Sequence, residues 1–261
     1  MTNIQTVSGN DADTSSTASG SIAENAVYRK ITLRLVPLLF LAYLLAFLDR
    51  INVGYAKLQM SADLGFSEAV YGLGAGIFFI SYLLFEVPSN LWLERIGVRI
   101  TLLRIMVLWG LVSASTMLVQ TPEQFYFVRL LLGICEAGFF PGIILYLTYW
   151  FPSSRRGKVT GQFMFAIPVA GIIGGPLSGW IMSSMDGVSG LHGWQWMFLI
   201  EGLPTVLLGC LCYVLLANRP SEAKWLSASE KQVVITAMER DTDSSMSNGH
   251  VGLMSKMRLA L

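Results

Sequence analysis

Asp49 and Arg50 near the end of one long apolar run, and Arg129 with Glu136 inside another, put four ionisable side chains where a bilayer tolerates them least. Charges in membrane-spanning helices are costly and usually face one another or a wet cavity, so they mark a route for a substrate or an ion. Arginine stays protonated in proteins and offers a planar fork of donors that fits a carboxylate, which suits Arg50 and Arg129 to an anionic organic substrate. Asp49 and Glu136 are proton-carrier candidates, because the proton affinity of a buried carboxyl depends on whether a neighbouring arginine is free or occupied. Coupling a proton to a substrate requires such a dependence. Tyr82 adds a hydroxyl that can donate to a polar substrate; Tyr146 and Tyr149 are weaker candidates, since tyrosine is also common at interfaces and in packed bundles. The rival reading is a set of structural ion pairs that hold two helices together.

The elements that must carry these residues follow from composition. Of 261 residues, 53% are hydrophobic and 13% charged, against about 25% charged in soluble domains. This predicts an all-α membrane protein. A crossing helix needs about 20 mainly apolar residues, and six stretches qualify: 33–55, 68–90, 101–120, 124–150, 159–184 and 195–217. Their continuous apolar character speaks against barrel strands, which alternate. Lys and Arg gather before the first span, in the even links and after the sixth (Arg29, Lys30, Arg34; Arg95, Arg99, Arg104; Arg155, Arg156, Lys158; Arg219, Lys224), leaving only Lys57 on the other side. Both ends are therefore expected in the cytoplasm. Residues 1–27 are expected to be a disordered cytoplasmic tail, 28–218 a six-helix domain, and 219–261 the start of a central cytoplasmic loop that ends before a seventh span. In that loop Ser227 should cap a short helix and 241–250 form a flexible linker.

Depth can be counted at 1.5 Å per helical residue. If the first span ends near Lys57, Asp49 and Arg50 lie about 10–12 Å below that end; from Glu123, Arg129 lies about 9 Å down and Glu136 about 20 Å down. Three charges would then share a level, with Glu136 deeper. Arg129 and Glu136, two turns apart, project from one face. Asp49 and Arg50 point about 100° apart, so one of them should face a different helix.

Other residues carry less. Gly171, Gly174, Gly175, Pro176 and Gly179 suggest close packing with a bend, through the pairings 171/175 and 175/179. Glu86 and Glu201 sit near span ends, where a snorkelling or helix-end role suffices. His192 reads as a solvated loop residue. Cys135, Cys210 and Cys212 read as small buried hydrophobes, with no disulfide and no metal. A net charge of +1 gives no nucleic-acid footprint. No hydrolase elbow, phosphate-binding loop, HExxH or paired CxxC is present, so neither an enzyme nor a cofactor is expected.

Between the second and third spans, Pro88-Ser-Asn90-Leu-Trp92-Leu-Glu94-Arg95-Ile-Gly97-Val-Arg99 resembles the signature of major facilitator superfamily transporters, which normally opens with Gly and carries Asp where this chain has Asn90 and Glu94. The Pro-Ser-Asn form resembles the anion:cation symporter branch, with its carriers of tartrate, phthalate, hexuronates and galactonate. Leu48-Asp49-Arg50-Ile-Asn52, Arg129-x3-Gly133-x2-Glu136-x4-Pro141, the Gly193–Pro204 segment and Trp225-Leu-Ser-x2-Glu230 resemble the same branch. The resemblance implies a twelve-helix fold of two halves, each made of two inverted three-helix repeats, with the substrate site between the halves near midplane. This chain would supply the N-terminal half. It further implies proton-coupled uptake of a small organic anion, such as a dicarboxylate or sugar acid, across a bacterial inner membrane. Arg50 and Arg129 would serve the anion, Asp49 and Glu136 the proton, and Asn90, Glu94, Arg95, Gly97 and Arg99 a link whose charge contacts favour one access state. The implied partners are an organic acid, protons, the lipid bilayer and a C-terminal six-helix half. Two rivals stand beside this: a non-transporting remnant, sensor or interaction protein on the same fold, and an anion uniporter or exchanger.

Overall fold

With no water to satisfy exposed backbone groups, a membrane-spanning chain closes its hydrogen bonds within helices. The computed structural model describes the backbone of residues 11–259 and the side chains of residues 22–243, and among them there is no strand. The helices are α1 (Asp11–Leu64), α2 (Glu68–Ile96), α3 (Val98–Ser115), α4 (Pro122–Glu136), α5 (Phe139–Trp150), α6 (Ser153–Met164), α7 (Ala166–Ser184), α8 (Gly193–Leu215) and α9 (Ala228–Leu259). Six described segments are long and apolar enough to cross a membrane, with α4–α5 and α6–α7 each forming one.

Local chemistry sets the boundaries. The Ser67 hydroxyl accepts from the Val70 amide at 3.4 Å and starts α2; Thr121 caps α4 ahead of Pro122 at its first position. Gly97, at φ 84°, ends α2 with its amide on the Leu93 carbonyl. In a reciprocal cap, the Glu230 amide donates to the Ser227 hydroxyl at 3.2 Å and the Ser227 amide to the Glu230 carboxylate at 2.7 Å. That places the expected helix after Ser227.

The packing is symmetric under exchange of spans one, two and three for four, five and six. The most extensive contact, α3 on α8, joins spans three and six and maps onto itself. α2 on α4 corresponds to α1 on α7, and α1 on α8 corresponds to α3 on α4. Two inverted three-helix repeats produce this pattern. Gly133 permits the closest part of the α2–α4 contact: a Cβ there would stand 2.4 Å from the Phe78 carbonyl oxygen.

Several expectations change. α1 begins at Asp11, so residues 11–27, expected as disordered tail, are helical; residues 1–10 lie outside the described part. Extending an anchored helix adds a bond per residue without a new nucleus, and Arg155 holds the extension through Glu24 at 2.9 Å and Asn25 at 2.7 Å. α9 likewise runs through 241–250 in place of the linker, tied to the start of α6 by the Ser153 amide and hydroxyl, both donating to Asp241. The fourth span is broken: Gly138 takes the left-handed conformation, φ 83°, and α4 stops at Glu136. In the fifth span, Gly174 meets Ile51, 2.7 Å from an added Cβ, whereas Gly171 and Gly179 face open space. The expected small-residue pairings therefore do not form an interface. Cys210 is exposed, unlike buried Cys212.

Candidate functional site

Arg50 on α1 donates to Glu136, the last residue of α4, in an ion pair. Its guanidinium lies 5.5, 5.7 and 5.4 Å from the ring centres of Phe47, Phe78 and Tyr82. Glu136 is 1% exposed. The direct pair corrects the depth count, which put Glu136 far below Arg50. That count ended the first span at Lys57, but α1 continues to Leu64. Measured from Leu64 and Pro122, Arg50 and Glu136 each lie about 21 Å along their helices.

Arg129, 5% exposed, stands two turns before Glu136. Its guanidinium sits 4.5 Å above the Phe78 ring, and its Nε donates to the Gly74 carbonyl at 3.5 Å. It makes no ion pair with any described residue. A buried guanidinium held by one long hydrogen bond and one aromatic face keeps most of its donors for an incoming anion.

Asp49, beside Arg50 in sequence, turns the other way. Its Oδ2 accepts from the Trp109 indole at 2.8 Å; its Oδ1 accepts from the Ser113 hydroxyl and, at 3.4 Å, from the Asn52 amide. Trp109 and Ser113 are one turn apart on α3, so the helix presents both to Asp49. The structure thus gathers Arg50, Arg129, Glu136 and Tyr82 between α1, α2 and α4, and puts Asp49 in the interior between α1 and α3. Tyr146 donates to the Ala217 carbonyl at 2.8 Å and Tyr149 lies under Arg219, both away from this group.

The link residues take different roles. Arg99 donates to the Tyr213 carbonyl at 2.9 and 2.7 Å, and its amide reaches Asn218 at 3.1 Å, pinning the start of α3 to the end of α8. Glu94 and Arg95 are exposed and form no ion pair with described residues, so the expected charge contacts are absent there. The Asn90 carbonyl oxygen is buried and without a partner beside Gly138.

Sequence reasoning passed over two features. Trp109 and Ser113 carry no charge, and only their spacing of one turn in an apolar run hinted at a polar face. Glu201 was set near a span end, but it stands eight residues after Gly193, about 12 Å into α8, buried and accepting from Ser178 at 2.8 Å. His192 lies against Asp63 at 3.2 Å and precedes α8.

A bundle of inverted helical repeats with a buried arginine–carboxylate pair and a second buried arginine defines a membrane transport fold. The pattern of the Major Facilitator Superfamily matches residues 39–258, and the chain belongs to that family, one of transporters and not of enzymes. The chain is 54% identical over 225 residues to metabolite transport protein NicT of Pseudomonas putida, covering 86% of this chain and 52% of that protein. It is also 54% identical over 218 residues to a protein of Agrobacterium vitis named a tartrate transporter, covering 84% and 50%. A crystal structure of a bacterial homologue of the human lysosomal transporter Spinster shares the fold, with a TM-score of 0.64 at 22% identity over 75% of this chain and 46% of that one. The chain spans about half the length of the curated relatives it matches and corresponds to the N-terminal six-helix half of the family fold.

Proposed function

We propose that the protein takes up a small organic anion, a dicarboxylate or sugar acid, together with protons across a bacterial inner membrane, with both chain ends in the cytoplasm. The observation that carries this is the state of the two arginines: Arg129 is buried and unpaired, while Arg50 is held by Glu136. A substrate carboxylate bridging Arg129 and Arg50 competes with Glu136 for the Arg50 fork. Displaced, Glu136 is a buried carboxylate without a cation, and a proton removes that cost. Substrate and proton therefore favour each other's binding, the reciprocity that coupled transport needs. Tyr82, beside Arg50, donates to a substrate hydroxyl or carboxylate, and Asp49 serves as a second proton site. A second six-helix half supplies the opposite wall of the cavity, and the Asn90–Arg99 link biases the access state. The relative named a tartrate transporter makes tartrate the first acid to try.

The test is uptake of labelled tartrate and sugar acids by the whole gene product in proteoliposomes. Uptake should follow an imposed pH gradient and be lost with Glu136→Gln. Uptake indifferent to both, but dependent on a counter-substrate, would instead make the protein an exchanger.

A further inference from the structure

Glu201 has no part in the scheme above, yet its surroundings constrain its chemistry. It is 6% exposed; Ser178 of α7 donates to its Oε1, and its Oε2 has no partner. Two other buried oxygens on α1 and α8 are also without partners. One is Oδ1 of Asn52, 1% exposed, whose amide nitrogen faces Asp49. The other is Oγ1 of Thr205, one turn further along α8. Asn52 reaches Asp49 through its amide nitrogen, and both it and Glu201 are buried where α1 packs on α8.

Glu201 Oε2, if ionised, and Asn52 Oδ1 can only accept, and the Thr205 hydroxyl, which could donate, is engaged by neither of them. The described groups that could compensate a charge here are few: Trp109 and Ser113 from α3 are engaged by Asp49, Ser178 from α7 gives one hydroxyl, and α1 contributes Asp49 itself. Arg129 lies near enough to act on Asp49 and Glu136, and no cation of the described chain pairs with Glu201. An ionised carboxylate accepts only, and a buried one needs a cation or several donors. A protonated carboxyl brings its own donor and satisfies one of the neighbouring acceptors.

We propose that Glu201 is a positioning residue held in its protonated form, its Oε2 hydrogen donated to Asn52 Oδ1 so that the Asn52 amide stays turned toward Asp49. Glu201 keeps its proton while Asp49 exchanges one, a division that rests on the reading of Asp49 as a proton site. The carboxyl also ties α1 to α7 and α8 through uncharged hydrogen bonds.

Infrared spectroscopy of the reconstituted full-length protein at neutral pH tests the protonation state without reference to transport. The difference between wild type and Glu201→Gln should show loss of one protonated-carboxyl C=O band; loss of a carboxylate band instead would overturn the assignment. Ser178→Ala, which leaves the acid in place, should shift that same band because the serine hydroxyl bonds its carbonyl oxygen, and an unmoved band would count against it. Thermal stability that rises with sodium in wild type but not in Glu201→Gln would put a metal cation among these oxygens and overturn the assignment too. For the positioning role, Glu201→Gln, which keeps a donor, should retain uptake within about threefold and the same pH midpoint, whereas Glu201→Ala should lose roughly tenfold and shift the midpoint. A Gln variant as impaired as the Ala variant would sink that role. If uptake proves independent of protons, the transport reading fails, and the infrared result still decides the state of Glu201.

Discussion

Asp49 and Arg50 are adjacent in sequence and live in different places. Arg50 enters the group between α1, α2 and α4, where it pairs with Glu136 and where Arg129 has no ion pair with a described residue. Asp49 enters the interior between α1 and α3, where an indole, a hydroxyl and an amide hold it. The first environment is short of fixed donors and acceptors and suits a ligand. The second is well supplied and suits stability. The two face different sides of the same turn of α1, so a shift of α1 against either side is felt by both.

The largest expected effect falls on the interior side. Asp49→Ala leaves Trp109 and Ser113 as buried donors without an acceptor and should lower unfolding free energy in detergent by about 3 kcal/mol. Asp49→Asn, which keeps an acceptor, should lose well under half of that, as read by denaturant or thermal unfolding. On the other side, Arg129→Lys should cost about 2 kcal/mol in transport, near a thirtyfold fall in uptake efficiency, because the amine loses the planar fork. Its folding stability should fall by less than that of Asp49→Ala, because a cation stays in place and no buried partner is orphaned beyond the Gly74 carbonyl. If the two variants exchange these signatures, the division between a binding side and a structural side is wrong.

The smallest effect lies at the end of the bundle, where α9 docks. The Glu230 carboxyl is held below its usual range, first by the hydrogen bond from Lys30 and then by the Ser227 amide; Asp241 is held low by the Ser153 hydroxyl and amide. Carboxyls whose folded values are depressed stabilise the docked state above the ordinary carboxylate range, about pH 4, and that stability is lost as pH falls through the depressed values. Protection of the α9 amides, exchange corrected for its intrinsic pH dependence, should be steady from neutrality to about pH 5 and fall below it, sooner at high salt because these contacts are exposed. Exchange in α3 and α8 should not follow.

Much of this was legible in the sequence. The spans show as long apolar runs, and the four charges stand out because such runs exclude them. That Asp49 and Arg50 must diverge follows from helical geometry alone. Which side each takes does not, because the partners that capture Asp49 are uncharged residues in a span that reads as apolar. The level of Glu136 was misjudged because Lys57 looked like the end of the first helix; it pairs with Glu68 while the helix runs on to Leu64. Glu201 was undervalued because its distance from a span end was taken from hydropathy, not from where α8 starts.

The break at Gly138 leaves backbone groups that another part of the bundle must cover. Where α4 stops, the carbonyls of its last turn lose their helical donors, and the first amides of α5 lose their acceptors, with Pro141 supplying no amide at all. Irregular backbone at membrane depth persists only against other protein or a water-filled space. Here the cover is protein: Gly138, two residues past the carboxyl end of α4, is buried against Ser89 and Asn90, so the α2 segment that carries the start of the Pro88–Arg99 signature also shields the broken backbone next to Glu136.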